Sequence, residues 1–202
     1  MGCRSVGRYG KTVLYSVLFW LGGDAVGYRN DLWEVAAARN GVVTVTEAED
    51  AGVPAVEVRK LAARGALRGY GQGVYKHRDV PTTPFTEPTI AVSLAGDGAF
   101  LHRESVLDLL GLGQVNPPKV RVGTRRRVRR TLPEWMELEN RPDVPDEDLT
   151  RYEGIPAMTV RRALKDMRSR MPPDRWVVVV DEALRRDLIG EQDAVEWKAV
   201  SA

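Results

Sequence analysis

Between Pro54 and Arg78 the apolar positions change their period. Val58, Leu61 and Ala62 recur at i, i+3 and i+4, the spacing of one inward helix face. Arg59, Lys60 and Arg64 fall outside that stripe and are expected to face water or a ligand. Gly65 should end the helix, because glycine enters the left-handed region at little cost. Leu67–Tyr70 and Val74–Lys76 then read as two short strands around the turn Gly71-Gln72-Gly73. The stretch holds six Lys/Arg, the three above with Arg68, Lys76 and Arg78, against Glu57 as its one acid. A basic helix followed by a basic hairpin has the form of a recognition helix and its wing, and suits DNA.

The residues upstream complete that pattern. Asp31–Arg39 reads as a helix with Leu32, Val35 and Ala36 inward and Gly41 at its end. Val42-Val43 is expected to be a brief extended link. Thr46 and Glu49 form a Thr-x-x-Glu capping box, which starts a second helix near Glu47. Gly52 stops it, and Val53-Pro54 leads into the basic helix. The order is that of a winged helix-turn-helix from Asp31 to Val80.

Pro81–Pro88 contains three prolines and no periodicity, so it reads as a linker. Beyond it, Thr89–Leu94 and Arg103–Leu110 have helical spacing. Lys119–Arg130 reads as two strands flanking a basic turn, and Leu149–Tyr152 with Ile155–Met158 as a hairpin turning at Glu153-Gly154. Thr159 should cap a helix Val160–Arg168 with Ala163, Leu164 and Met167 inward. Asp174–Ile189 is expected to be helical with Val177, Val180, Leu184 and Leu188 on one side, and a short helix ends the chain. The fold class is therefore α+β: an N-terminal winged helix-turn-helix (31–84) followed by a mixed α/β C-terminal domain (85–202). Residues 1–30 form an N-terminal extension.

The 202 residues suffice for one large domain or two small ones, and an apolar fraction of 43% argues against disorder. The overall charge of +2 is uninformative, but its distribution is not. Residues 1–84 hold 11 Lys/Arg against 8 Asp/Glu, residues 85–202 hold 19 against 20, and two local clusters are sharply basic. The first is the helix and hairpin above. The second is Lys119, Arg121, Arg125, Arg126, Arg127, Arg129 and Arg130, with no acid among them. Glu134–Glu153 follows with eight acids against two arginines. The two blocks either pair with one another or offer a partner or nucleic-acid surface on Arg125, Arg126, Arg127, Arg129 and Arg130.

Single Cys3 excludes an intramolecular disulfide, and one cysteine with two histidines leaves no basis for a metal site. The apolar run Val13–Leu21 is too short for a bilayer, which needs about 20 residues; the expected location is the cytoplasm. Gly7–Thr12 ends like a P-loop, but Ser5 stands where the first glycine belongs. His102 and Ser105 would share a helix face, yet no third, orienting group is evident. Neither a catalytic residue nor a cofactor is expected.

Taken in order, these pieces resemble the AbiEi family of antitoxins from type IV toxin–antitoxin systems. The resemblance rests on the helix-turn-helix, Arg64-Gly65-Ala66-Leu67 leading to Gly73-Val74-Tyr75, and Leu101-His102-Arg103-Glu104-Ser105 with Leu110-Gly111-Leu112-Gly113. It continues through the arginine-rich strand pair, Glu153-Gly154-Ile155-Pro156 and Asp181-Glu182-Ala183-Leu184-Arg185-Arg186. It implies an N-terminal domain that binds operator DNA and represses its own operon, and a C-terminal domain that counteracts a nucleotidyltransferase toxin without requiring a stable complex. DNA contacts would fall on Arg59, Lys60, Arg64, Arg68, Gln72 and Lys76. Two alternatives stand beside it. One is a winged-helix regulator whose C-terminal domain senses a ligand or pairs subunits. The other is an atypical enzyme, such as a serine/threonine kinase, that modifies the toxin.

Overall fold

The computed structural model describes residues 25–199, the side chains of Ala25 and Val26 excepted; the P-loop-like Gly7–Thr12 and the apolar run Val13–Leu21 lie outside them. The first helix, α1, spans Ala25–Ala37, so it begins upstream of the expected Asp31. Strand β1 (Val42–Thr44) follows, then α2 (Val45–Asp50) and α3 (Ala55–Ala63). Strands β2 (Leu67–Gly71) and β3 (Val74–His77) close a three-stranded antiparallel sheet in the order β1-β3-β2. Gln72 and Gly73 both have positive φ (50° and 73°), the geometry that joins twisted strands in a two-residue turn.

One expectation shifts by two residues. The capping box uses Thr44 and Glu47, not Thr46 and Glu49: the Thr44 hydroxyl accepts from the Glu47 amide at 3.2 Å, and the Thr44 amide donates to Glu47 at 2.9 Å. The sequence Thr-Val-Thr-Glu-Ala-Glu offers both frames. Pairing decides between them, since Thr44 is the last β1 residue opposite Val74 and the Val45 amide donates to the Gly73 carbonyl. Leu32, Ala36, Val43, Ala48, Val53, Val58, Leu61, Leu67 and Val80 bury together as the core of this unit.

Helix α4 (Thr86–Ala95) begins inside the stretch expected to be a linker. Seven of its ten residues are buried, which a helix needs when both sides are covered. It touches β1, β2 and β3 on one side and β4, β5 and β8 on another. Strand β4 (Ala99–Leu101) was not anticipated; α5 (Glu104–Leu109) follows it.

The expected arginine-rich strand pair is not a hairpin. β5 covers only Val120–Thr124, and its neighbour β6 is Met136–Asn140, running parallel to it. A parallel neighbour demands a crossover, so residues 125–135 form a loop instead of a second strand. The hairpin β7 (Leu149–Tyr152) and β8 (Ile155–Met158) falls where the sequence placed it. The mixed five-stranded sheet has the order β6-β5-β4-β8-β7, with β4 and β8 parallel.

Thr159 caps α6 (Val160–Met167), which buries Val160, Ala163, Leu164 and Met167. Helix α7 (Pro173–Arg185) buries Trp176, Val179, Val180 and Ala183, a stripe rotated from the expected one because the Trp176 ring must be covered. It meets Trp197 of α8 (Glu191–Ala199) with ring centroids 6.1 Å apart. Among the described residues no helix is long and apolar enough to cross a membrane.

Candidate nucleic-acid interface

Helix α3 is presented by what surrounds it. Gly52 (φ +83°) turns the chain, Val53 buries, and Pro54 stands at the N-cap of α3. Val58 and Leu61 anchor the inner face in the core, which turns Val56, Arg59 and Lys60 outward. Arg64 is the C-cap, and Gly65 beyond it has φ +78°, as expected of a helix stop.

The outward cations are not equivalent. Arg59 and Arg64 are exposed and their guanidinium groups have no partner among the described residues. Lys60 is exposed but pairs with Glu57 one turn back, at 2.8 Å. Such an exposed i,i+3 pair stabilises by only a few tenths of a kcal/mol, so a phosphate can displace it. Val56, exposed on the same face, carries no hydrogen-bonding group in its side chain.

The wing divides. Gln72 sits exposed at the hairpin tip. Arg68 and Lys76 are cross-strand partners, and their parity is that of Val74 and Tyr70, which pack towards α4. Leu67 and Tyr75 have the other parity and pack towards α1 and α3. Arg68 therefore lies over the Tyr70 ring at 5.2 Å, on the face away from α3. Lys76 is half-buried and donates to the carbonyls of Val80 (2.7 Å) and His77 (3.2 Å). Burial, and then the charge of Arg68, hold its ammonium below the usual lysine range. The six expected DNA contacts thus separate into Arg59, Lys60, Arg64 and Gln72, and the pair Arg68 and Lys76 on the opposite sheet face.

His77 fixes the frame. Its Nδ1 accepts from the Asp79 amide at 3.3 Å, so the proton belongs on Nε2, which donates to the Arg29 carbonyl of α1 at 3.2 Å. Burial lowers its pKa and keeps it neutral.

The second basic cluster is also mixed. Arg125 donates to the Val144 carbonyl at 2.8 Å and pairs with Asp146, and Arg130 donates to the Leu94 carbonyl at 2.8 Å. Those two tie down the 125–135 loop. Arg126, Arg127 and Arg129 are exposed, with no side-chain partner among the described residues. Arg121 pairs with Glu104 and Glu137, so part of the opposite-sign blocks does pair internally.

A polar network joins the end of β6 to α6 and to the start of α5. Arg141, 5% exposed, reaches Asp143 and Asp166 at 2.8 and 2.6 Å. Arg162 joins it through Asp143, Asp148 and Asp166, and Arg103 makes a bidentate pair with Glu139. Arg162 and Asp166 stand at i and i+4 on α6, the spacing of a helix-surface pair. His102 is 1% exposed, and its Nδ1 faces the Arg141 guanidinium at 3.4 Å. Burial and the charges of Arg103, Arg141 and Arg121 push its pKa down to about 3. The Ser105 hydroxyl accepts from the Arg121 amide at 2.7 Å, an engagement with the sheet and not with His102. The network holds α6 to β6. Among the described residues no three His, Cys, Asp or Glu side chains are grouped to hold a metal ion.

Residues 30–75, from α1 to within β3, match the family model described as "Transcriptional regulator, AbiEi antitoxin". The resemblance to AbiEi antitoxins is borne out there. No curated protein matches the chain. Among solved structures, the RV2827C protein from Mycobacterium tuberculosis is similar at 16% identity, covering 85% of this chain and 71% of that one, with a TM-score of 0.46. Over residues 30–75 the chain is thus similar to antitoxin transcriptional regulators of the AbiEi kind.

Proposed function

We propose that the protein is the antitoxin of a type IV toxin–antitoxin pair. It represses its own operon by laying α3 in the major groove of operator DNA, and it counteracts a nucleotidyltransferase toxin through residues 85–202, inside a bacterial cytoplasm. The supporting observation is the outer face of α3, where Arg59 and Arg64 stand exposed and unpaired on a helix whose inner face is locked into the core. Lys60 and the wing tip at Gln72 extend that face. Because Val56 contributes no hydrogen bond, most of the affinity comes from phosphates and falls steeply with salt.

Two activities predict two separable losses. The test co-expresses the product of the neighbouring gene with the full chain or with its Arg59→Ala/Arg64→Ala double variant, while an operon reporter is read in parallel. The proposal expects the double variant to lose repression and keep neutralisation. Toxicity unrelieved by the full chain would remove the antitoxin assignment, and repression untouched by the double variant would remove the DNA assignment.

A further inference from the structure

A groove of about 660 Å³ lies between the three-stranded sheet and α4, on the sheet face opposite α3. Its walls carry three cations, Arg68, Lys76 and Arg78, against one acid, Glu87, and two half-buried aromatic residues, Tyr70 and Trp135. The volume lies in the range of small-molecule pockets, about 300–1,000 Å³.

Folding engages part of this charge, Arg68 over the Tyr70 ring and Lys76 on two carbonyls, but supplies no acid to neutralise it inside the groove beyond Glu87. Arg68 and Lys76 are directly cross-strand, an arrangement of like charges that destabilises a sheet. The Arg78 guanidinium makes no hydrogen bond or ion pair among the described residues, although its charge is felt by Asp79 and its backbone amide is held by the Ala66 carbonyl. Two of the three Lys76 protons are taken by carbonyls, which leaves one for a ligand. An anion here would relieve the repulsion and meet donors on two strands and the loop after them. Aromatic faces next to such donors suit a planar base attached to that anion.

We propose that this groove binds a nucleoside phosphate, with its base against Tyr70 or Trp135 and its phosphate on Arg68, Lys76 and Arg78. The site lies where the sheet carrying α3 meets α4, the helix shared with the C-terminal sheet. An occupant would therefore touch both halves of the protein at once. This site does not depend on duplex binding, because its residues lie on the other face of the sheet.

The experiment measures fluorescence anisotropy with two labelled probes on the full chain. One probe is a free adenosine or guanosine nucleotide; the other is a short 5′-phosphorylated single-stranded oligonucleotide. Binding of either probe, weakened about tenfold by Trp135→Ala and again by Arg68→Ala, supports the site, and the probe that binds names the source of the nucleotide. Arg68 is exposed, so its variant reports on the groove even if Trp135→Ala unfolds. Arg59→Ala, on the far face, should leave both probes unchanged while weakening duplex binding. Failure of both probes to bind at millimolar concentration overturns the proposal. So does binding that both groove variants leave intact, or that inorganic phosphate abolishes as effectively as unlabelled nucleotide.

Discussion

Lowering the pH from 7 to 5 should cost the fold about 2 kcal/mol through His102 alone. The ring is 1% exposed, Arg141 faces its Nδ1 at 3.4 Å, and the opposing Glu139 carboxylate is no closer than 4.0 Å to Nε2. Its pKa accordingly falls from 6.5 to about 3. A depressed histidine pKa means that the unfolded chain takes up the proton first. Its contribution is complete above pH 6.5 and is lost progressively as pH falls towards 3. Each pH unit within that window is worth about 1.4 kcal/mol, which gives about 2 kcal/mol by pH 5. His77, lowered mainly by its burial, adds a loss of the same sign. Asp143, held far below the usual carboxylate range by Arg141, acts only below its unfolded value of 3.8 and stays out of the measurement. Urea unfolding at pH 7, 6 and 5 is the assay, with wild type beside His102→Gln. The variant starts less stable but should lose less between pH 7 and 5. Equal losses in both chains would refute the assignment of His102 as a neutral, buried ring.

Other expectations are narrower. Thr44→Ala removes one half of the capping box and should cost about 1 kcal/mol in urea unfolding. Gly123→Ala would place a Cβ 2.6 Å from the Phe100 ring in β4, an overpacking expected to cost about 1–3 kcal/mol. Gly65→Ala keeps ordinary contact distances but must hold φ at +78°, so thermal unfolding should show a loss of about 1 kcal/mol from strain alone.

How much the sequence disclosed depends on how local the determinant is. Helix α3, its stop at Gly65 and the Glu153-Gly154 hairpin were legible because neighbouring residues fix them. Strand β4 was not, since Ala99–Leu101 are all buried and three residues show no alternation. The parallel pairing of β5 with β6 was equally hidden, because nothing in an arginine-rich run says that its partner lies beyond the next loop. Within the site, the helix cations followed from their spacing. The split in the wing was present in the parity of Val74 and Lys76, but it acquires meaning only once α4 covers that face of the sheet. The arginine network had little signal, because Arg103 with Glu139, Arg141 with Asp166, and Arg162 with Asp143 and Asp148 meet across the fold, while only Arg141 with Asp143 and Arg162 with Asp166 are near neighbours in sequence.

The most direct test of the central claim is the salt dependence of operator binding in wild type, Arg59→Ala and Arg64→Ala. If both side chains neutralise phosphates, each variant should bind more weakly and reduce the slope of log K against log salt by about 0.9. Affinities and slopes equal to wild type in both variants would contradict the claim that α3 grips the duplex.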